Sequence, residues 1–419
     1  MSRRKFEPVN YAVQLQATGD YASDTNWIYH WTGSHWSKME HKESERRALR
    51  WIADDGVGAV TATNARSVHE TALRWLSELT WPKSHQTVIP VKNGYLHIED
   101  GKLVFKDHDK RLGIQHVVEC DYSPWAPTPL HFFRFIKQVL PDAAIRSRVQ
   151  EYIGYTLLPD ARFQRAQIWL GSGANGKGCL ANIVQALHKR TTAVQLDALD
   201  GFYIAAAAGA SLIYCDEAPQ KGINEQVLKS LIAGELVQVR EIYHAATSVR
   251  IQGKWLILAN HVPWLTDQSP GFWRRFDIIP FDVCVPESER DPMLADRIIA
   301  SELSGVLLWA LEGVLRLLAR GRFDTTIPLP MQATLATARA ETNSVQAWVA
   351  DMEISAGAVA STSKARVYDA YSGWCRANGM APFASPKFWK RIPDILGTII
   401  FGRESTSEGR IRTCNIELT

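Results

Sequence analysis

A glycine-rich stretch that ends in a lysine is the part of this sequence best suited to chemistry. It consists of Gly171, Ser172, Gly173, Ala174, Asn175, Gly176, Lys177, Gly178 and Cys179. Backbone N–H groups in such a G-x-x-x-x-G-K loop close around phosphate oxygens, and the lysine ammonium reaches the terminal phosphates of a nucleotide. The pattern predicts a phosphate-binding loop, with residues 171–179 holding a nucleotide and Lys177 as the charged contact.

The segments that flank the loop fit this prediction. Residues 166–170 are short, apolar and partly β-branched, which is typical of a buried strand, and Leu180, Ile183, Val184 and Leu187 follow at helical spacing. Strand, glycine-rich turn and helix is the arrangement in which the motif binds phosphate, because the helix N-terminus adds the positive end of its dipole. A plain glycine-rich turn is the alternative explanation.

One position departs from the usual motif. The residue after Lys177 normally contributes a Ser or Thr hydroxyl to Mg²⁺, but here it is Gly178, followed by Cys179. A thiol is a poor ligand for a hard cation. We therefore expect Mg²⁺ to rely on water and on a carboxylate elsewhere, and the departure weakens the argument for hydrolysis.

A pair of carboxylates follows an apolar segment about 40 residues after the loop. Residues 211–215 are predicted to form a strand, and Asp216 and Glu217 come directly after it. In nucleotide hydrolases, the first carboxylate of such a pair holds Mg²⁺ through water, and the second polarises the attacking water. We predict these roles for Asp216 and Glu217; the alternative is an acidic surface turn.

Three further features follow the carboxylates in a fixed order. They are a hairpin with a basic, aromatic tip (Arg240, Tyr243 and His244), a strand ending in Asn260, and the pair Arg274 and Arg275 at the start of an apolar strand. Taken singly, each has an ordinary structural explanation, because asparagine favours turns and arginines favour solvated surfaces. Their order within about 105 residues of the chain is the informative feature.

This order resembles that of the superfamily 3 helicases, in the branch that forms the C-terminal half of phage and plasmid primases and the poxvirus primase-helicase. The resemblance covers residues 90–325 well and the ends of the chain more loosely. It implies an AAA+-like ATPase in which Lys177 is the Walker A lysine, Asp216 and Glu217 form Walker B, and Asn260 is sensor 1.

The same resemblance implies roles for the remaining residues. The arginine finger falls on Arg274 or Arg275, which ring-forming relatives offer to the ATP of a neighbouring subunit. The family's DNA-contacting hairpin residues fall at Tyr243 and His244, and we expect Arg240 to contact DNA beside them. A homo-hexamer is the closed ring that this family resemblance implies.

The predicted fold class is α/β, with a P-loop AAA+-like core between two further regions. The regions are an α+β N-terminal region (1–125), a helical collar plus the ATPase core (126–328), and a winged-helix-like C-terminal domain (329–419). The last region has predicted helices at 367–379 and 385–396 and strands at 398–402 and 411–418.

The C-terminal region is locally basic. From residue 361 to the C-terminus, nine Lys and Arg stand against five Asp and Glu, an excess of four. This excess favours a surface that faces DNA, and a basic module that docks another protein is the alternative.

The composition is that of a globular protein. Apolar residues make up 46% and charged residues 22% of 419 residues, the net charge is +3, and six cysteines are scattered without a C-x-x-C pair. Scattered cysteines fit reduced thiols in a cytosol rather than a zinc site or a disulfide framework. We find no apolar run of membrane-spanning length, so we expect a soluble, intracellular protein that does not contact a membrane.

These observations lead to one main hypothesis and two alternatives. The main hypothesis is an ATP-dependent, Mg²⁺-using DNA helicase that translocates as a ring on single-stranded or forked DNA, replicating a phage, prophage or mobile element in the cytoplasm of a bacterial host. Because no primase domain is evident before the helicase part, a primase would act in trans. The alternatives are an ATP-binding initiator or loader with slow or no hydrolysis, and a small-molecule kinase.

Overall fold

The computed structural model describes residues 6–24, 26–55, 58–80, 87–199, 201–219, 223–240, 247–261, 270–341, 343–378, 380, 382–406 and 409–418. The chain forms two compact units, the first comprising Met1–His261 and Arg274–Pro328, the second Val262–Trp273 and Leu329–Thr419. The predicted N-terminal region (1–125) falls within the first unit, and so does the predicted ATPase region (126–328) except for residues 262–273. The predicted C-terminal region makes up most of the second.

The fold is mixed α/β. The described helices are α1 (Val9–Thr18), α2 (His41–Asp55), α3 (Ala62–Trp75), α4 (Leu130–Val139), α5 (Ala143–Thr156), α6 (Lys177–Ala186), α7 (Gly201–Ala205), α8 (Glu225–Ile232), α9 (Pro270–Trp273), α10 (Leu294–Arg320), α11 (Leu329–Glu341), α12 (Ser344–Asp351), α13 (Lys364–Ala377) and α14 (Ser385–Leu396). The described strands are β1 (Tyr21–Ser23), β2 (Ile28–Trp31), β3 (Trp36–Lys38), β4 (Val88–Val91), β5 (Gly94–Glu99), β6 (Lys102–Lys106), β7 (Ala166–Leu170), β8 (Thr191–Ala193), β9 (Leu212–Cys215), β10 (Leu236–Val239), β11 (Thr247–Arg250), β12 (Lys254–Ala259), β13 (Phe276–Pro280), β14 (Ser355–Ala356), β15 (Thr362–Ser363), β16 (Phe401–Thr406), β17 (Gly409–Cys414) and β18 (Ile416–Glu417).

Two small antiparallel sheets and three helices form the N-terminal part of the first unit. The sheets have the strand orders β1-β2-β3 and β4-β5-β6. Helices α2 and α3 pack on each other through fully buried side chains such as Ile52 and Val68. Between β5 and β6, Asp100 and Gly101 have φ angles of 50° and 74°, the left-handed values that a tight type I′ hairpin turn requires.

A five-stranded parallel sheet forms the centre of the first unit. Its strand order is β13-β7-β12-β9-β8, and every neighbouring pair is parallel. Ala259 at the end of β12 pairs with Leu170 at the end of β7, and Ile257 of β12 pairs with Cys215 at the end of β9. The carboxyl ends of these three central strands therefore lie side by side at one edge of the sheet.

Helices α5 and α10 approach each other closely because each has a glycine at the contact. A Cβ atom on Gly154 of α5 would lie 2.3 Å from the carbonyl oxygen of Ala310. A Cβ atom on Gly313 of α10 would lie 2.4 Å from the carbonyl oxygen of Gln150. Only glycine leaves room for two helix backbones at this separation.

Helix α10 is long and apolar enough to cross a membrane by length and composition alone, and it is the one such helix in the part of the chain that the structure describes. The expectation that no apolar run reaches membrane-spanning length is therefore wrong. In its apolar window, 44% of the residues are buried within the protein, among them Val306, Leu307 and Val314. Core helices meet the same two criteria, and α10 packs against α4, α5 and α6.

The second unit surrounds an aromatic core. Trp348, Tyr371 and Phe388 are fully buried, and the rings of Tyr371 and Phe388 stack with centroids 4.6 Å apart. Strands β15, β17 and β16 form an antiparallel sheet in that order, and β14 pairs with β18. The predicted helix at 385–396 is confirmed as α14, with Pro393 inside it.

The predicted strand boundaries near the C-terminus are wrong. The expected strand at 398–402 is instead β16, Phe401–Thr406, and the expected strand at 411–418 is divided into β17 and β18. Asn415 separates these two strands, because its side-chain oxygen accepts a hydrogen bond from Ile400 N at 2.9 Å and its amide nitrogen donates to Gly357 O at 2.7 Å.

Candidate functional site

A cleft of about 400 Å³ opens at the carboxyl edge of the parallel sheet. We call it the loop cleft, and its lining residues are Gly173, Ala174, Asn175, Gly176, Lys177, Gly178, Cys179, Asp216, Glu217, Leu258, Ala259 and Asn260. The three segments that line it follow β7, β9 and β12, the strands whose ends lie side by side. Ligands of open α/β sheets bind at this edge.

Three residues of the glycine-rich loop have positive φ angles. The φ angles are 105° at Gly173, 50° at Ala174 and 80° at Gly176, the residue immediately before α6. A Cβ atom on Gly176 would lie 2.6 Å from Val139 Cγ1 of helix α4. Glycine at position 176 is therefore needed both for the positive φ angle and for the close contact between the loop and helix α4.

Lys177 lies inside the loop rather than in solvent. Only 6% of the residue is exposed, and burial lowers the pKa of its ammonium group. Its Nζ donates hydrogen bonds to the carbonyl oxygen of Gly171 and to Asn175 Oδ1, the latter at 3.2 Å. Asn175 Nδ2 in turn donates to the carbonyl oxygen of Phe281 at 3.0 Å. The charge is thus held by neutral oxygen acceptors of the loop.

The two residues after Lys177 present no strong metal ligand. A Cβ atom on Gly178 would meet nothing within 4 Å, so the space beside it is open. Burial, and then the nearby carboxylates of Asp291 and Asp296, raise the pKa of the Cys179 thiol to about 11. The thiol is therefore protonated at neutral pH, which makes it a poor ligand for Mg²⁺.

Asp216 and Glu217 lie at the opposite wall of the loop cleft, directly after β9, and both side chains are exposed. Glu217 has a φ angle of 68°, an uncommon conformation for a residue with a side chain. The next amide, Ala218 N, donates to Leu258 O at 2.9 Å and fixes this turn against β12. Burial, and then the Asp216 carboxylate, with which the Tyr214 hydroxyl hydrogen-bonds, hold the pKa of Tyr214 well above its usual value.

Asn260 lies between the loop and the carboxylates. It follows β12 directly, its side chain is exposed, and it lines the loop cleft. The preceding residue, Ala259, accepts a hydrogen bond from Gly171 N at 3.1 Å, which ties the start of the loop to the end of β12. The structure thus brings together Lys177, Asp216, Glu217 and Asn260 from three separate segments.

The arginine pair lies at the opposite end of the parallel strands from the loop cleft, where β13 and β7 begin. Strand β13 begins with Phe276, which pairs with Ala166 at the start of β7, and ends with Pro280, which pairs with Leu170. Arg275 O accepts a hydrogen bond from Ala166 N at 2.8 Å. Five residues at roughly 3.3 Å each place Arg275 about 16 Å of strand away from the loop of the same chain, and Arg274 lies one residue further.

A buried ion cluster that sequence reasoning missed lies beside the arginine pair. Asp277 is 2% exposed and accepts two hydrogen bonds from Arg148, at 2.7 and 2.8 Å, and a longer one from Arg165 at 3.3 Å. The guanidinium groups of Arg148 and Arg165 also lie over the ring of Phe323. The one signal in the sequence was a charged residue at the second position of an otherwise apolar strand.

The predicted hairpin is present, but its tip falls outside the described residues. Strands β10 and β11 pair antiparallel from Leu236 with Arg250 to Val239 with Thr247. Arg240 follows β10 and its amide N–H donates to Gly201 O of helix α7 at 3.0 Å. Tyr243 and His244 lie outside the described residues. Sequence reasoning missed Tyr203, which is 60% exposed on α7, a helix that packs against β10.

Comparisons with known proteins match two segments of the chain. Residues 12–142 match a family described as D5 N terminal like, and residues 169–275 match a family of unknown function, DUF5906. The second match begins in β7 and ends at Arg275, so it contains the loop, the two carboxylates, Asn260 and the arginine pair. The helicase candidate L207/L206 of Acanthamoeba polyphaga mimivirus is 25% identical over 162 residues, which are 35% of this chain and 16% of that protein. The chain therefore spans about a sixth of that relative.

Solved structures with the same overall fold include the C terminal region of NrS-1. An A form apo structure of this region aligns with a TM-score of 0.52 at 11% identity, covering 98% of this chain and all of that one. A further apo structure, of NrS-1 C terminal region (305-718), aligns with a TM-score of 0.51 at 10% identity, covering 99% and 100% of the two chains. At these identities, the likeness concerns the fold alone.

Proposed function

We propose that this chain is an ATP-dependent DNA helicase of the superfamily 3 type, built on a P-loop AAA+-like core. The observation that carries the proposal is the convergence of Lys177, Asp216, Glu217 and Asn260 on one cleft at the carboxyl edge of a parallel sheet. The sequence match to a helicase candidate of mimivirus supports the helicase activity in this proposal. A protein that replicates phage or mobile-element DNA in a bacterial cytoplasm would need this activity.

The residues of the loop cleft have complementary roles in this proposal. Lys177 contacts the β- and γ-phosphates, and the backbone N–H groups of the loop bind the same oxygens. Glu217 orients and polarises the attacking water, and Asn260 senses the γ-phosphate beside it. Mg²⁺, when bound, neutralises phosphate charge; Asp216 would hold it through water, since position 178 offers no hydroxyl.

The arginine pair supports a trans arrangement. Arg274 and Arg275 lie at the amino end of β13, whereas their own loop lies at the carboxyl end of the sheet. They cannot reach their own nucleotide unless β13 separates from β7. Arg274 is exposed at that amino end. A ring, for which we propose a homo-hexamer, would bring this end to the loop cleft of a neighbouring subunit and supply the positive charge that hydrolysis needs.

DNA contacts would come from the hairpin and its surroundings. Arg240 follows β10, Tyr243 and His244 lie in the sequence between β10 and β11, and Tyr203 adds an exposed aromatic side chain on α7, which packs against β10. Aromatic side chains with basic neighbours bind single strands through stacking and phosphate contacts. In the second unit, helices α13 and α14 followed by the strands β16 and β17 support a winged-helix-like domain. A primase acting in trans would complete the replication function on forked DNA.

A second function, an ATP-binding initiator or loader that hydrolyses ATP slowly or not at all, is favoured by one observation. Gly178 has no hydroxyl for Mg²⁺, and the Cys179 thiol is protonated. An ATP-dependent switch could use the same loop without turnover.

Steady-state ATPase activity, measured with and without single-stranded DNA, tests the proposal. A helicase should be stimulated by DNA, a switch should stay slow in both conditions, and a small-molecule kinase should not respond to DNA. Lys177→Ala is the control for contaminating ATPase. If the parent protein shows no ATPase above this variant with DNA present, the helicase proposal is wrong.

A further inference from the structure

The second unit contains a separate cleft of about 590 Å³. We call it the aromatic cleft, and it is lined by Ser363, Lys364, Ala365, Tyr368, Asp369, Ser385, Pro386, Trp389, Ile411 and Arg412. We propose that the aromatic cleft binds the phosphodiester backbone of single-stranded DNA and stacks a base on its aromatic side chains. This binding does not require ATP. The proposal deepens the DNA-binding part of the proposed function by giving it a second site.

Aromatic rings hold the lysine of this cleft in place. Lys364 Nζ lies 4.2 Å from the centroid of the Trp389 ring and 4.4 Å from that of Phe401. The two rings meet edge to face, with centroids 5.8 Å apart. Phe401 is 52% exposed and Trp389 partly so. The ammonium group is thus positioned next to apolar ring surface that remains accessible for stacking.

The sheet adds further positive charge on the same side. Arg412 of β17 pairs directly with Arg403 of β16, and both side chains are exposed. Like charges directly opposite each other destabilise a sheet. Burial, and then the charge of Arg412, lower the pKa of Lys364, so Lys364 and Arg412 repel each other electrostatically. An anion between the three cations would relieve this repulsion.

Carboxylates of the described residues do not neutralise this group. Asp369 is the one carboxylate among the lining residues. Within the described part of the chain, no ion pair of 4 Å or less joins a carboxylate to Lys364, Arg403 or Arg412. Asp369 likewise makes no ion pair with any residue that the structure describes, so the cleft retains a net positive charge.

Two helices begin at the cleft and present their positive ends to it. Ser363 precedes α13 and Ala384 precedes α14, and neither residue makes a side-chain capping hydrogen bond. The first N–H groups of α13 are therefore not taken by a capping side chain. In α14, by contrast, Pro386 has no N–H and Lys387 N donates to Ala384 O, so that this helix offers chiefly the N–H of Ser385. Helix N-termini, together with fixed cations, favour phosphate groups.

The lining distinguishes DNA from other anionic partners. An acidic peptide would match the cations but would leave the Trp389 and Phe401 rings without a stacking partner. Single-stranded DNA offers a phosphate and a flat base on each nucleotide, which fits cations and exposed rings at one site. The basic excess of the C-terminal region, noted in the sequence, is thus concentrated at a cleft with a specific chemistry.

The test is fluorescence anisotropy of a labelled oligothymidine, with the full chain, EDTA and no nucleotide. Trp389→Leu should weaken binding about 5- to 150-fold, the range for losing one stacked base. Arg412→Gln should weaken binding and make the slope of log K against log salt less steep by about 0.7, the value for one phosphate contact on a single strand. Arg376→Gln, the same charge change at the far, exposed end of α13, is the matched control and should bind like the parent.

Each alternative outcome has a defined meaning. If the parent does not bind without ATP, or if both cleft variants bind like Arg376→Gln, the proposal is overturned. If inorganic phosphate or an acidic peptide displaces DNA at equal charge concentration, the cleft is a general anion site and the stacking argument fails. If Trp389→Leu unfolds, Arg412→Gln on an exposed strand decides the question. Since no nucleotide is present, a protein without ATPase activity would overturn the helicase proposal while leaving this one intact.

Discussion

Asn175 connects Lys177 to a distant part of the chain. Its side-chain oxygen accepts a hydrogen bond from the Lys177 ammonium at 3.2 Å, and its side-chain nitrogen donates to the carbonyl oxygen of Phe281 at 3.0 Å. Both side chains are buried, with 3% and 6% exposed. The position of the charged group therefore depends on the segment that follows β13.

The first prediction concerns nucleotide binding by Lys177. Lys177→Ala should weaken ATP affinity about 10- to 150-fold, because a hydrogen bond to a charged group contributes about 1.5–3 kcal/mol. Titration with a fluorescent ATP analogue measures this affinity. Lys189→Ala removes an exposed lysine close to the other end of α6 and should leave the affinity unchanged. Equal affinities in both variants would contradict the placement of phosphates in the loop cleft.

The second prediction separates binding from hydrolysis at Glu217. Glu217→Gln should retain ATP affinity but lower the ATPase rate by about 10²- to 10⁴-fold, because it removes the proposed base while leaving Asp216 in place. Glu225→Gln, in the first turn of α8, is the control. ATP turnover at the parent rate in Glu217→Gln would show that another group activates the water.

The third prediction concerns the open space at Gly178. Gly178→Ser should lower the Mg²⁺ concentration needed for half-maximal ATPase, because it restores a hydroxyl where a new Cβ meets nothing within 4 Å. Gly178→Ala adds the same Cβ without a hydroxyl and isolates the effect of the oxygen. If the serine and alanine variants have the same Mg²⁺ dependence, the loop binds its metal entirely through other groups.

The fourth prediction tests the trans arrangement of the arginine pair. The double variant Arg274→Ala/Arg275→Ala and the variant Lys177→Ala should each lose ATPase activity, the first by up to about 10³- to 10⁵-fold. Mixing them should restore part of the activity, because some loops would then lie beside an intact arginine pair. Native mass spectrometry confirms that mixed oligomers form. If such oligomers form but no ATPase activity returns, the arginines do not act in trans.

The fifth prediction concerns acid stability. Burial, and then the charge of Lys254, lower the pKa of His188 to about 3 from 6.5. Between these values, the unfolded chain binds a proton that the folded chain does not, so acidification below pH 6.5 should favour unfolding by up to about 1.4 kcal/mol per pH unit. His188→Gln keeps hydrogen-bonding groups near Thr156 and Ser211 but cannot titrate. Its free energy of unfolding should fall less steeply from pH 6.5 to 5; an unchanged slope would contradict the prediction.

Local patterns in the sequence predicted the parallel-strand edge well. Residues 166–170 and 276–280 are short runs that are apolar except at their second positions, Gln167 and Asp277, and both form strands with those bounds. The order of the motifs along the chain then placed Lys177, Asp216 and Asn260 after three strands. Parallel pairing brought them into one cleft.

Features that depend on tertiary contacts could not be predicted in this way. Asp277 was part of an apolar strand pattern, and nothing local indicates that Arg148, more than 100 residues earlier, would pair with it. The positive φ angle of Glu217 is fixed by a hydrogen bond from the next residue to Leu258. Asn415 divides β17 from β18 through contacts with residues that are distant in sequence.

Strand β13 has a mechanical consequence. Its first residue adjoins Arg275 at one edge of the sheet, and Phe281, directly after its last residue, binds Asn175 at the other edge. All five of its residues are buried and paired with β7, so the strand is stiff along its axis. In the proposed ring, a displacement of Arg275 by a neighbour's nucleotide would be transmitted along β13 to Lys177 of the same subunit, and this would couple the turnovers of successive subunits.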